Sequence, residues 1–147
     1  MTTPAGNVGG RTIAALSAAA FMSSSTIRVG DPLIPQIAND FGVGVGAASI
    51  VTTSFALAYG ICQLVHGALG DRYGKQRLIL LATALSAFGT AAVALAGDLA
   101  TLGVLRFLSG VTASAIIPLA MAHIGDVVPY EQRQATLARF LFGQILG

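Results

Sequence analysis

Long uncharged apolar runs, separated by short polar turns, make up most of this chain. No Asp, Glu, Lys or Arg occurs between Asp40 and Asp71, or between Arg77 and Asp98. A helix needs roughly 20 predominantly apolar residues to cross a bilayer core. The pattern therefore predicts membrane-crossing helices over residues 12–35, 46–69, 78–96 and 99–124. A fifth apolar stretch, 134–147, covers only about 20 Å at 1.5 Å per residue. It reads as a truncated span, and the chain as a fragment. Barrel strands are about ten residues long and alternate strictly; these runs do neither. Alanine, leucine and glycine also dominate over the β-branched and aromatic residues that strands favour. The expected fold class is an all-α polytopic helical bundle, with four complete transmembrane helices and part of a fifth.

Composition sharpens this reading. Hydrophobic residues make up 54% of the chain and charged residues 10%, with a mean hydropathy of +0.77. An ordinary soluble domain carries about 25% charged residues, so lipid is the expected solvent. The net charge of +2 comes from cations scattered through turns, which argues against a nucleic-acid partner. Cys62 is the single cysteine, so no disulfide framework or thiolate metal site is expected. HExxH, CxxC, P-loop and GxSxG patterns and paired carboxylates are absent from the sequence. No cofactor, metal or enzymatic activity is expected. Arg11, the apolar stretch after it and Ser23 to Ser25 resemble a signal peptide. The apolar sequence runs on through Ile27, Val29 and Leu33, which favours a retained span.

The cations set an orientation. Arg11, Arg72, Lys75, Arg77, Arg133 and Arg139 fall in alternate connections, while 36–45 and 97–100 carry no Lys or Arg. Cations mark cytoplasmic loops, so the N-terminus is expected inside. Arg28 and Arg106, with Asp31, fall within spans instead. Charges at membrane depth are costly and mark functional sites. The topology puts all three toward the outer face, where they suggest a shared polar cavity. Arg28 and Asp31, spaced i,i+3, could instead neutralise each other or snorkel outward. Thr52, Tyr59, Gln63 and His66 form a polar stripe on the second span; Tyr59 and Gln63 are candidates to face substrate or neighbouring helices. His66 and His123 read as interface residues.

Residues 67–77, GALGDRYGKQR, pack three cations, an acid and three glycines between two apolar runs. This segment resembles the signature loop between the second and third spans of the major facilitator superfamily. Gly67, Leu69, Asp71, Arg72, Gly74, Lys75 and Arg77 fit it; Gln76 stands where a second cation is usual. Leu102, Arg106 and Gly110 resemble the family's fourth-span motif, with Ser109 replacing its usual glutamine. Gly143 and Gly147 resemble the start of a fifth-span antiporter motif. The stretch from Asp31 to Phe41, with Tyr59 and Gln63, looks like the drug:proton antiporter branch.

The resemblance implies a secondary transporter in a plasma membrane, such as a bacterial inner membrane. Its partners would be the bilayer, a small organic substrate, protons and the C-terminal half. Gly67 and Gly70 would allow close helix approach, and Gly74 a tight reversal. Asp71, with Arg72 and Arg77, would latch the cytoplasmic side against a helix of the second half. Asp31 would accept the proton, tuned by Arg106. Proton-coupled efflux is the favoured expectation. Uptake of a sugar or organic anion, or a non-transporting helical module, stands as the alternative.

Overall fold

The computed structural model describes residues 10–147, and among these it contains eight helices. They are α1 (Gly10–Arg28), α2 (Gly30–Asp40), α3 (Val45–Ala48), α4 (Ile50–Tyr73), α5 (Lys75–Val93), α6 (Leu99–Ala113), α7 (Ile116–Val127) and α8 (Tyr130–Leu146). Residues 1–9, expected on the cytoplasmic side, lie outside the described residues. Three helical stretches, Val45–Tyr73, Lys75–Val93 and Leu99–Val127, are long and apolar enough to cross a membrane. The pair α1 and α2 makes a fourth if it is taken as one bent crossing.

Prolines account for two departures from simple rods. α1 and α2 meet at 41° around Val29, so the first segment is broken and continues to Asp40. Pro32 offers no N–H to the Arg28 carbonyl four residues back, and Pro35 none to that of Asp31. Pro118 likewise leaves the Ser114 carbonyl without its helical donor. The turn at Ser114 and Ala115 that separates α6 from α7 follows from this. α8 starts at Tyr130, ahead of the apolar stretch at 134, because Pro129 with φ −53° leads into a polar first turn.

The bundle is built by α4 against α6, α1 against α8, and α5 against α6 and α7. A buried core of Leu16, Ala20, Ile79, Ile116, Leu119, Ile124 and Phe140 joins α1, α5, α7 and α8. Leu64 and Phe88 stand 84% and 75% exposed, as side chains facing lipid should. Small residues set the helix spacing where close approach is needed. A Cβ on Gly110 would come 2.5 Å from the Phe55 carbonyl oxygen and 3.1 Å from the Ala58 Cβ. α4 and α6 therefore touch backbone to backbone.

Asp98 caps α6. Its carboxylate accepts from the Thr101 amide at 2.8 Å and from the Thr101 hydroxyl at 2.8 Å. These bonds, the backbone one first, hold the Asp98 carboxyl below its ordinary pKa. A lowered folded-state pKa means stabilisation present above the unfolded value, about 3.9, and lost as pH falls through the folded value. Asp98→Ala is therefore expected to fray the first turn of α6 at neutral pH, seen as faster amide exchange at Thr101. Asp98→Asn, which still accepts from the Thr101 amide, should retain most of the protection and lose its dependence on acid.

Candidate functional site

Arg106 sits in α6 and is only 4% exposed. Nη1 donates to the Thr26 carbonyl at 3.0 Å and Nε to the Val51 carbonyl at 3.4 Å. The guanidinium lies 4.4 Å from the centre of the Phe55 ring, and Phe55 stacks on Tyr59 with centroids 6.0 Å apart. α1, α4 and α6 thus converge on one cation. The local sequence explains each contact. Thr26 lies in the last turn of α1, where helical carbonyls lack intrahelical donors. Val51, Phe55 and Tyr59 recur one turn apart along α4. A cation–π contact in a desolvated site is worth about 2 kcal/mol. A hydrogen bond to a charged group adds about 1.5–3 kcal/mol. Together they offset the roughly 2.5–3.5 kcal/mol that insertion scales assign to arginine at membrane depth.

One nitrogen is left over. Nη2 of Arg106 is buried without a hydrogen-bond partner. It points at the junction of α1 and α2, where a Cβ on Gly30 would stand 3.0 Å from it and 2.7 Å from Thr52 Cγ2. Asp31, the next residue, occupies the first turn of α2 and is exposed. The bend thus places Asp31 one residue beyond the glycine that Nη2 faces. An acid there is also favoured by the positive end of the α2 dipole.

The other sequence candidates divide. Tyr59 joins the cluster through Phe55, with Ser23 beside its hydroxyl. Arg28 turns away, and Nη1 donates to the Ile145 carbonyl of α8 at 3.2 Å. Among the described residues neither Arg28 nor Asp31 forms an ion pair, so mutual neutralisation is not observed; the bend at Val29 interrupts the helical face they would share. Gln63 is exposed and takes no part in the Arg106 cluster.

Residues 67–77 are mostly helix rather than loop. α4 extends to Tyr73, and Gly74 alone makes the reversal into α5, with φ 92° and ψ 119°. A side chain is strained there. Gly70 packs against Leu119 of α7, while no neighbour approaches Gly67 among the described residues. Lys75, rather than Arg72 or Arg77, holds Asp71. Its Nζ lies 3.1 Å from Asp71 Oδ1 and 2.6 Å from Asp126 Oδ2. Arg72 lies over the Tyr73 ring at 5.5 Å. Arg77 lines a cleft of about 480 Å³ together with Asp71, Gly74, Lys75, His123 and Asp126. Asp126 belongs to no motif in the sequence, although it is the one acid at the inner end of the fourth apolar segment. Phe55 and Gly30 are equally silent there, because an aromatic or glycine in an apolar run signals nothing by itself. Among the described residues no group of His, Cys, Asp and Glu side chains is arranged to hold a metal ion.

These features define a polytopic helical membrane protein with an intramembrane arginine held by backbone carbonyls. The family model described as Major Facilitator Superfamily matches residues 16–147, and the chain belongs to that family. It is 33% identical over 141 residues to the multidrug export protein EmrB of Haemophilus influenzae, covering 90% of this chain and 28% of that protein. It is 31% identical over 140 residues to the probable multidrug resistance protein EmrY of Escherichia coli, covering 93% of this chain and 27% of that protein. An uncharacterized MFS-type transporter of Bacillus subtilis, YwfA, is 31% identical over 119 residues, covering 81% of this chain and 29% of its own length. The chain thus spans under a third of the length of each of these relatives.

Proposed function

We propose that this chain is the N-terminal part of a proton-coupled exporter of small organic molecules, working by alternating access in a plasma membrane with its N-terminus inside. The observation that carries the reading is the buried Arg106, whose unpaired Nη2 faces Gly30, the residue before Asp31. A carboxyl able to approach a buried cation can exchange a proton as its surroundings change. The names of EmrB and EmrY as export and resistance proteins support efflux over uptake. The cations of 67–77 support the inside orientation, and in this reading Asp71, Arg72 and Arg77 latch the cytoplasmic side against a second half. Lys75 then competes for Asp71, so opening and closing would exchange its partners.

Asp31→Asn in the full-length protein tests the proton role. Proton-driven efflux from inverted vesicles is expected to fall at least tenfold, with substrate counterflow retained. Unchanged coupling would remove Asp31 from the proton pathway. A second reading has its own observation: the free Nη2 of Arg106 suits an organic anion, and Arg28, held on the Ile145 carbonyl, would have to swing back to join it. Competition by organic anions for substrate binding, abolished in Arg28→Gln, would favour that reading.

A further inference from the structure

His66 is half-buried on α4, outside the Arg106 cluster, and meets the break in the fourth crossing. Its Nδ1 lies 3.0 Å from Oγ of Ser114, a side chain with no exposed surface. The Ser114 hydroxyl also stands 2.7 Å from the Val111 carbonyl oxygen. At the break the Ala115 amide bonds to Thr112 at 3.4 Å instead of reaching Val111. The serine hydroxyl therefore stands in for the backbone donor that the Val111 carbonyl has lost.

A serine hydroxyl has one proton to give. If it goes to Val111, the imidazole must donate through Nδ1–H. If it goes to the imidazole, Nδ1 must be a bare acceptor, and Val111 loses its substitute donor. Neutral histidine permits both arrangements through its two tautomers, whereas the imidazolium can only donate. Protonation thus removes one of the two states.

We propose that His66 is a proton-binding site whose occupancy fixes the Ser114 hydroxyl on Val111 and so braces the break between α6 and α7. Loss of the proton lets the hydroxyl turn to the ring and frees the break to flex. Among the described residues Ser114 is the one side chain that hydrogen-bonds the ring. On α4 the Cys62 carbonyl, one turn back, is also within reach of the ring, and Asp71 lies beyond it toward the inner end. α6 contributes Arg106, which is turned to Thr26, Val51 and Phe55. α5 contributes Arg77 and Lys75, the latter bound to Asp71 and to Asp126 of α7. α7 also carries His123, more than two turns past Ser114. α1 and α2 carry Arg11, Arg28, Asp31 and Asp40, and α3 carries no charge. None of these side chains hydrogen-bonds His66 among the described residues.

The proposal does not rest on export, because its readout needs no substrate. Full-length protein in lipid, labelled with ¹⁵N in histidine rings and ¹³C in valine carbonyls, would be followed by NMR from pH 5 to 8, with His66→Gln assigning the ring signal. The His66 ring is expected to titrate in that window, with both tautomers present in its neutral form. The Val111 carbonyl signal should move with the same midpoint, and Ser114→Ala should abolish that movement. A ring that does not titrate, or a Val111 signal that stays fixed while it does, overturns the proposal. So does a Val111 shift that survives in Ser114→Ala. The wild-type titration decides the matter even if a variant fails to fold.

Discussion

Arg106→Leu is expected to abolish proton-driven efflux in the full-length protein while leaving the bundle folded. A lone buried charge is itself costly to hold at membrane depth, and its removal offsets much of what the lost contacts contributed. The shorter leucine removes the charge but leaves the Thr26 carbonyl without a donor unless the first crossing straightens, so only a modest loss of Tm is expected. Arg106→Lys is the sharper comparison. A lysine keeps the charge but is a point donor on a flexible stem, unable to serve two carbonyls on different helices while lying flat on a ring. Losing one charged hydrogen bond and the planar stacking costs on the order of 3 kcal/mol, so transport should fall at least a hundredfold. Gly30→Ala supplies an independent approach, because its Cβ would stand 2.7 Å from Thr52 Cγ2 and 3.0 Å from Nη2, pressing on the arginine's seat without changing its chemistry. Efflux assays paired with thermal unfolding check all three. An Arg106→Leu protein that is unfolded, or fully active, would contradict this account.

The largest effect on stability is expected from Gly110→Val. A Cβ at 110 already meets the Phe55 carbonyl at 2.5 Å and Ala58 at 3.1 Å, and valine adds two methyl groups. Overpacking a tight contact typically costs about 1–3 kcal/mol, and here backbone would have to yield. The α4–α6 pair would separate, lowering the recovery of monodisperse protein and its Tm. Phe55 lies on both sides of the matter: its carbonyl meets Gly110, and its ring lies against Arg106. Gly110→Val should therefore disturb the arginine seat as well as the bundle. Gly60→Val is the comparison, since no neighbour approaches Gly60 among the described residues, and it should be much milder.

Much of this arrangement is legible in the order of residues alone. Charge-free runs define helices because a bilayer leaves few other solutions for backbone hydrogen bonding. Arg106 stands out because charge at membrane depth is expensive. The spacing around Gly74 announces a reversal, and the positive φ at that residue is its physical basis. What stays hidden depends on tertiary contact. Pro32 and Gly30 are visible, yet nothing local says that their bend brings Gly30 against Arg106. Phe55 is an apolar residue among apolar residues until its ring meets a guanidinium. Lys75 counts as one loop cation of three, and only the packing of α5 beside α7 gives it Asp126. The extension of α4 to Tyr73 is concealed for a related reason: polar composition resembles a loop even where a helix continues into the interface.

The carbonyl of Thr26 has a consequence of its own. In an unbroken helix its natural donor would be the amide of residue 30; across the bend it accepts from Arg106. Straightening the first crossing and keeping the arginine therefore compete for the same oxygen. The angle at Val29 becomes a gauge of where the cation is held. Any ligand that draws Arg106 away leaves an acceptor that a straighter helix can satisfy, and any force that straightens the helix loosens the arginine. A peptide-bond oxygen, rather than a side chain, would then convert a shift of charge into a change of shape.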